Sequence, residues 1–201
     1  QEIIETETSY ANQMRTCDRD AGKLLGRVLT PDERAKVFLN INAIQQLHTY
    51  FATELERCLA TAEEQRLEFV AVAPVLLRYF TKGMETVYTT FANGMDEALA
   101  VLKAAEKRSE DVKSVMARMC SRGMYMQSFL IQPIQRLPRY VLLLEQLVKT
   151  LPEYLDEFSG VTRALAAVRG IVTNVNENKR VYENQQTLAS WQAKVDLSGL
   201  H

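Results

Sequence analysis

Glycine and proline, the two residues that punctuate a backbone, are scarce in this chain. There are eight glycines and five prolines in 201 residues, about half the share of an average protein. Three of the prolines stand at 31, 74 and 133, leaving tracts of 42 and 58 residues between them. A β-sandwich or barrel needs a turn signal every ~8–12 residues, and these tracts have none at that density. Hydrophobic residues at 47% and charged residues at 24% are globular values that exclude disorder and collagen-like repeats. The expected fold is all-α, an elongated bundle of about six main helices in one domain spanning 1–201.

Periodicity supplies provisional boundaries. Ile3, Tyr10, Met14, Cys17, Ala21, Leu24 and Val28 recur at intervals of 7, 4, 3, 4, 3 and 4, one face of a helix over about 1–28. Thr30-Pro31-Asp32-Glu33 has the pattern of a capping box, with proline placed where no N–H is needed. It opens a helix over 31–60 that carries Val37, Ile41, Ile44, His48, Phe51 and Leu55 on one face. Further helices are expected over 67–92, with a stop at Asn93-Gly94, and over 95–106. Another should cover 110–151, broken near 133–138 because interior prolines destabilise a helix. Leu151-Pro152 closes it. A long last helix is expected over 157–195, of which about 35 residues alone would extend ~50 Å. A chain opening on Gln1 is expected to be a segment of a longer protein.

The catalytic and metal inventory is thin. There are two histidines: His48 lies in the apolar register and reads as a core or boundary residue, and His201 is terminal and expected to be disordered. Cys17, Cys58 and Cys120 have no CxxC spacing, which argues against zinc and a disulfide framework. They read as small core residues. Gly22-Lys23 lacks the other residues of a phosphate loop. No cofactor or metal is expected, and an enzyme would have to rely on His48. The longest apolar run, Phe69 to Leu77, is too short to span a bilayer.

The net charge of −1 argues against a nucleic-acid partner, but the charges are unevenly placed. Residues 1–20 hold five acids and two bases, while residues 102–139 hold eight bases and three acids. That basic stretch motivates a second reading, a helical scaffold resting on acidic lipid.

The most unusual segment is Ile131-Gln132-Pro133-Ile134-Gln135-Arg136-Leu137-Pro138-Arg139-Tyr140, polar residues and two prolines set between apolar runs. A kinked helix with snorkelling arginines is one account of it, and a protein-facing ridge is another. With Phe129-Leu130 before it and Val141-Leu142-Leu143-Leu144 after it, the segment resembles the third signature region of Dbl-homology domains, the guanine-nucleotide exchange factors of Rho-family GTPases. Glu2-Ile3-Ile4-Glu5-Thr6-Glu7-Thr8-Ser9-Tyr10 resembles the family's first region, and residues 69–92 more loosely the second. Val175-Asn176-Glu177 is similar to a step in its last helix. The resemblance spans essentially the whole chain in order.

That resemblance implies a Rho-, Rac- or Cdc42-type GTPase as partner, with a lean toward a Rac-type protein. It implies that Glu2 engages switch I and that Gln135, Arg139 and Asn176 meet switch II. Ile131 matches an apolar position that discriminates among partners. Gln132 stands where many members carry lysine, and Arg139 where lysine is commoner. Glu5, Thr6, Glu7 and Tyr10 would support packing and polar contacts. The implied role is non-covalent and cytoplasmic, with any membrane contact made through a neighbouring domain such as a pleckstrin-homology domain.

Overall fold

The computed structural model describes residues 1–67 and 69–198, and no strand occurs among them; His201 lies outside the described residues. The chain opens as a rod. Helix α1 (Glu2–Arg15) passes through a π-helical turn, Thr16–Ala21, into α2 (Gly22–Leu25). The expected helix over 1–28 is thus a rod to Leu25 with one extra residue wound into it. Thr30 then caps α3 (Pro31–Phe38) as anticipated. The Glu33 amide donates to Thr30 Oγ1 at 3.2 Å, and the Thr30 amide donates to Glu33 Oε2 at 2.9 Å.

Three expected boundaries are corrected. The helix over 31–60 is split: α3 ends at Phe38, and α4 (Ile41–Glu64) begins after Leu39, whose φ is +48°. The turn is held by Asn40 Nδ2, which donates to the Val87 carbonyl at 2.9 Å. It also lays the Leu39 side chain on Gly94, where a Cβ would come within 2.4 Å of Leu39 Cδ2. Gly94 is therefore a close-approach residue, not a terminator. The break in this part of the chain falls at Gly83, with φ +84°, between α5 (Ala73–Thr81) and α6 (Met84–Arg108). The proposed stop at Asn93-Gly94 and the separate helix over 95–106 are absent, because α6 runs through both.

The third correction concerns the prolines. The break expected near 133–138 is displaced to the turn around Gly123, φ +74°, which separates α7 (Glu110–Cys120) from α8 (Met126–Thr150). Helix α8 continues through Pro133 and Pro138, although each proline deprives a carbonyl one turn earlier of its amide partner. Packing holds it on two sides. Phe129 and Leu130 enter one apolar cluster, Leu137, Tyr140 and Leu144 enter another, and Ile134 touches both. The first cluster also takes Tyr10 and Met14 of α1, Ile44 of α4 and Phe91 of α6. The second joins Ile3 and Ile4 to Phe51, Phe80 and the face of α9 (Asp156–Ser198) bearing Val161, Val168, Ile171 and Val175. Cys17 is buried, and burial followed by the Asp18 charge pushes its thiol up to about 12. Cys58 and Cys120 are only partly buried, a departure from the expected core placement; all three thiols are free.

At 43 residues α9 extends ~65 Å, so the bundle is elongated, as its long last helix implies. Among side chains described up to residue 188, the last buried apolar one is Val175, and farther on the contact with α6 includes a Lys179–Asp96 ion pair at 3.2 Å. Near its start, buried Glu157 accepts from the amides of Val72 and Ala73 at 2.7 and 2.8 Å. This pins the start of α5 so tightly that a Cβ on Gly160 would stand 2.5 Å from the Ala73 Cβ. Gly160→Ala should destabilise the fold by about 1–3 kcal/mol through overpacking. Gly170→Ala, with nothing within 4 Å, should stabilise it by about 0.5–1 kcal/mol; urea unfolding distinguishes the two signs.

Candidate functional site

Four helices meet at one buried cluster of polar side chains. Glu7 of α1, His48 of α4 and Arg136 of α8 lie in the core, each at a position the helical period assigns to apolar residues. His48 Nδ1 is 2.7 Å from Glu7 Oε1, and Arg136 Nη2 donates to Glu7 Oε2 at 2.5 Å. The Tyr140 hydroxyl donates to the same oxygen at 2.5 Å. On the far side of the imidazole, Tyr88 Oη of α6 lies 2.8 Å from Nε2 and 3.4 Å from Tyr10 Oη. The Arg136 guanidinium carbon sits 4.4 Å from the Tyr140 ring centre and 5.1 Å from that of Tyr10.

The electrostatics follow from this arrangement. Burial alone would raise the Glu7 carboxyl, but His48, Arg136 and Tyr140 outweigh it and hold the group below its ordinary 4.5. Burial and neighbouring groups push the hydroxyls of Tyr10, Tyr88 and Tyr140 up, so they remain protonated. Burial opposes the Arg136 charge, yet Tyr140 and Glu7 raise it further. The carboxylate, imidazole and hydroxyls of the cluster are taken up in mutual hydrogen bonds. His48 is thus a core residue, as its register suggests. The charged core positions of Glu7 and Arg136 are the signal by which sequence reasoning could have found the cluster.

The ion pair fixes α1 beside α8 in antiparallel register, with Ile3 and Ile4 toward Leu144 and Met14 toward Phe129 and Leu130. Between the two helices lies a cleft of about 150 Å³. Thr6, Ser9 and Gln13 line its α1 side, and Gln132, Gln135 and Arg139 its α8 side. Glu2 continues the α1 stripe one turn beyond Thr6 and is exposed. On α8, Ile131, Gln135, Arg139 and Leu142 form one exposed stripe, with Leu142 at 62% and Ile131 at 38% exposure. Buried Gln132 Oε1 and Arg136 Nε have no hydrogen-bond partner among the described residues, an uncommon state for buried polar atoms.

Asn176 is also exposed, on α9. Arg169 of α9 donates to Glu145 of α8 at 2.5 Å. Counting back from that pair along two antiparallel helices of equal rise brings Asn176 level with Pro138 and Arg139. The structure therefore gathers Ile131, Gln135 and Arg139 on one face of α8, sets Glu2 on the flanking stripe of α1, and holds Asn176 on the helix packed against the other part of α8.

Three of the eight bases in the stretch 102–139 are paired with acids. Arg136 is buried against Glu7, Arg108 pairs with Glu33 at 2.6 Å, and Lys113 faces Glu110 at 3.5 Å. Among the described residues no helix is long and apolar enough to cross a membrane.

Known proteins share this sequence and this framework. The family model of the RhoGEF domain matches residues 1–176. The chain belongs to the RhoGEF family. It is 30% identical over 183 residues to rat Rho guanine nucleotide exchange factor 37, a match covering 89% of this chain and 26% of that protein. The apo structure of an activated truncation of Vav1 superposes with a TM-score of 0.84 at 27% identity, covering 96% of this chain and 48% of that one. The DH domain of FARP2 has the same fold, with a TM-score of 0.75 at 23% identity and coverage of 96% and 94%. The chain spans about a quarter of the length of the curated relatives it matches.

Since RhoGEF membership makes the α1–α8 framework the part to probe, Glu7 is the informative position. A lowered carboxyl stabilises the folded state above its unfolded value and loses that effect as pH falls through the folded value. Glu7→Gln, which leaves Arg136 buried without its counter-charge, should cost about 3–5 kcal/mol at neutral pH. The gap between wild type and variant in urea unfolding should narrow as pH drops below 4.5.

Proposed function

We propose that residues 1–201 act as one guanine-nucleotide exchange domain on a Rho-family small GTPase. The observation that supports this most directly is the exposed polar stripe of α8, with Ile131, Gln135 and Arg139 in line, fixed beside Glu2 of α1 in a chain of the RhoGEF family. In this reading Glu2 engages switch I, while Gln135, Arg139 and Asn176 meet switch II. A GTPase side chain entering the α1–α8 cleft finds an acceptor in Gln132 Oε1 and a donor in Arg136 Nε, both unpartnered among the described residues.

The mechanism needs no covalent step. A surface that binds the nucleotide-free GTPase more tightly than the loaded form must weaken nucleotide binding by the same factor. Glu2 holds switch I away from the nucleotide while the α8 and α9 residues reshape switch II. The phosphate and magnesium sites disturbed by that movement belong to the GTPase. The rigidity of the buried cluster matters here, because a deformable face would adapt to the loaded GTPase as readily as to the empty one. Ile131 selects among partners by its apolar fit, with a lean toward a Rac-type protein. The domain works in the cytoplasm, and any membrane contact it needs is made through a neighbouring domain, such as a pleckstrin-homology domain.

The scaffold reading rests on a basic stretch in which three of eight bases are paired with acids, and the enzyme reading rests on His48, which is taken up in buried hydrogen bonds. Exchange is tested by release of fluorescent GDP from a panel of purified Rho-, Rac- and Cdc42-type proteins. A polar contact to a charged partner is worth about 1.5–3 kcal/mol. Glu2→Ala and Asn176→Ala, both at exposed positions, should therefore slow release by about ten- to a hundredfold with unfolding curves unchanged. No acceleration by the wild-type chain on any member of the panel would refute the reading.

A further inference from the structure

At the end of the bundle away from Glu2, three cations converge on a recess of about 420 Å³. Lys23 belongs to α2, Arg27 follows in the turn after it, and Arg122 comes from the turn between α7 and α8. All three are exposed, and none has a side-chain hydrogen bond or ion pair with the described residues. This is unlike much of the cationic surface. Lys36, Arg78, Arg108, Arg169, Lys179 and Arg180 each face a carboxylate. The acid on the recess is Asp20, whose carboxylate lies 3.6 Å from Arg19. Three like charges set around one carboxylate that is already shared with Arg19 repel one another, and an anion bound among them removes that repulsion.

We infer that Lys23, Arg27 and Arg122 form an anion site for the phosphorylated headgroup of an acidic membrane lipid. The recess is of a size that small ligands occupy. Its rim favours a membrane over a soluble phosphopeptide. Leu24 and Met124 line it half-buried, and the next residue, Tyr125, is 53% exposed beside Arg122, the amphipathic type that settles at headgroup depth. The 21 residues from Glu2 to Lys23 amount to ~30 Å of helix. A lipid held at this end therefore lies far from Glu2.

Co-sedimentation of the chain with phosphatidylcholine vesicles containing phosphatidylinositol bisphosphate tests the assignment. Wild type should bind, and soluble inositol trisphosphate should compete. Each cation near a membrane surface is worth about a fivefold change in affinity. The variant Lys23→Ala/Arg27→Ala/Arg122→Ala, at exposed positions that leave the core intact, should therefore lose on the order of a hundredfold. The control Arg57→Ala/Lys103→Ala/Arg163→Ala, with the same charge removed elsewhere on the surface, should keep most of its binding. Equal loss in both variants would reduce the effect to net charge and overturn the site, as would undiminished binding by the first. Binding of inositol trisphosphate, or of a phosphoserine peptide, without vesicle binding would overturn the membrane assignment. Absence of binding to any of these probes would overturn the inference entirely. None of these measurements involves a GTPase, so the outcome is independent of the exchange reading.

Discussion

One buried carboxylate organises this molecule. Glu7 accepts hydrogen bonds from Arg136 and Tyr140 and lies against His48, so that α1, α4 and α8 are joined through two oxygen atoms, and α6 through Tyr88. A charge removed from water is tolerated only where its partners are placed with little freedom. Leucines in these positions would allow α1 to slide or rotate against α8 at small cost. The ion pair and its hydroxyl donors admit a single register. The relative positions of the α1 and α8 stripes follow from that register, so a buried interaction sets the geometry of an exposed surface.

The fold class was legible because scarcity of Gly and Pro and a 3.6-residue period are both local properties. Boundaries were less legible where tertiary contacts override local preference. Nothing within Val37–Ile44 announces that Leu39 adopts a positive φ; the cause is Asn40 reaching Val87 and Leu39 seated on Gly94, 55 positions away in sequence. Pro133 and Pro138 were read as a break from their intrinsic cost, which two apolar clusters gripping α8 outweigh. Conversely, Gly123 was overlooked because a lone glycine in a charged stretch is an ordinary event in sequence.

The site was partly legible. The resemblance pointed to Glu2, Ile131, Gln135, Arg139 and Asn176, and all five are exposed. It assigned no role to Arg136, the neighbour of Gln135, which turns the other way into the core. Helical period does separate them: Pro133, Arg136, Leu137 and Tyr140 share the buried face, and a charge in that series requires an opposite charge on another helix. Glu7, in line with Ile3, Tyr10 and Met14, is the mate. Matching charges across core registers of different helices would have found the pair before any coordinates.

The uneven support of α9 has a mechanical side. Up to Val175 the helix is clamped by the apolar core; beyond it, described side chains hold the helix through polar contacts such as Lys179–Asp96. Helical segments without an apolar face packed on a neighbour are only marginally stable, so amide protection along α9 should fall away past this point. Asn176 is the first residue after the clamp. It sits where the apolar clamp hands over to polar contacts, and a strain passed along α9 from residues 177–188 reaches it before it reaches the core.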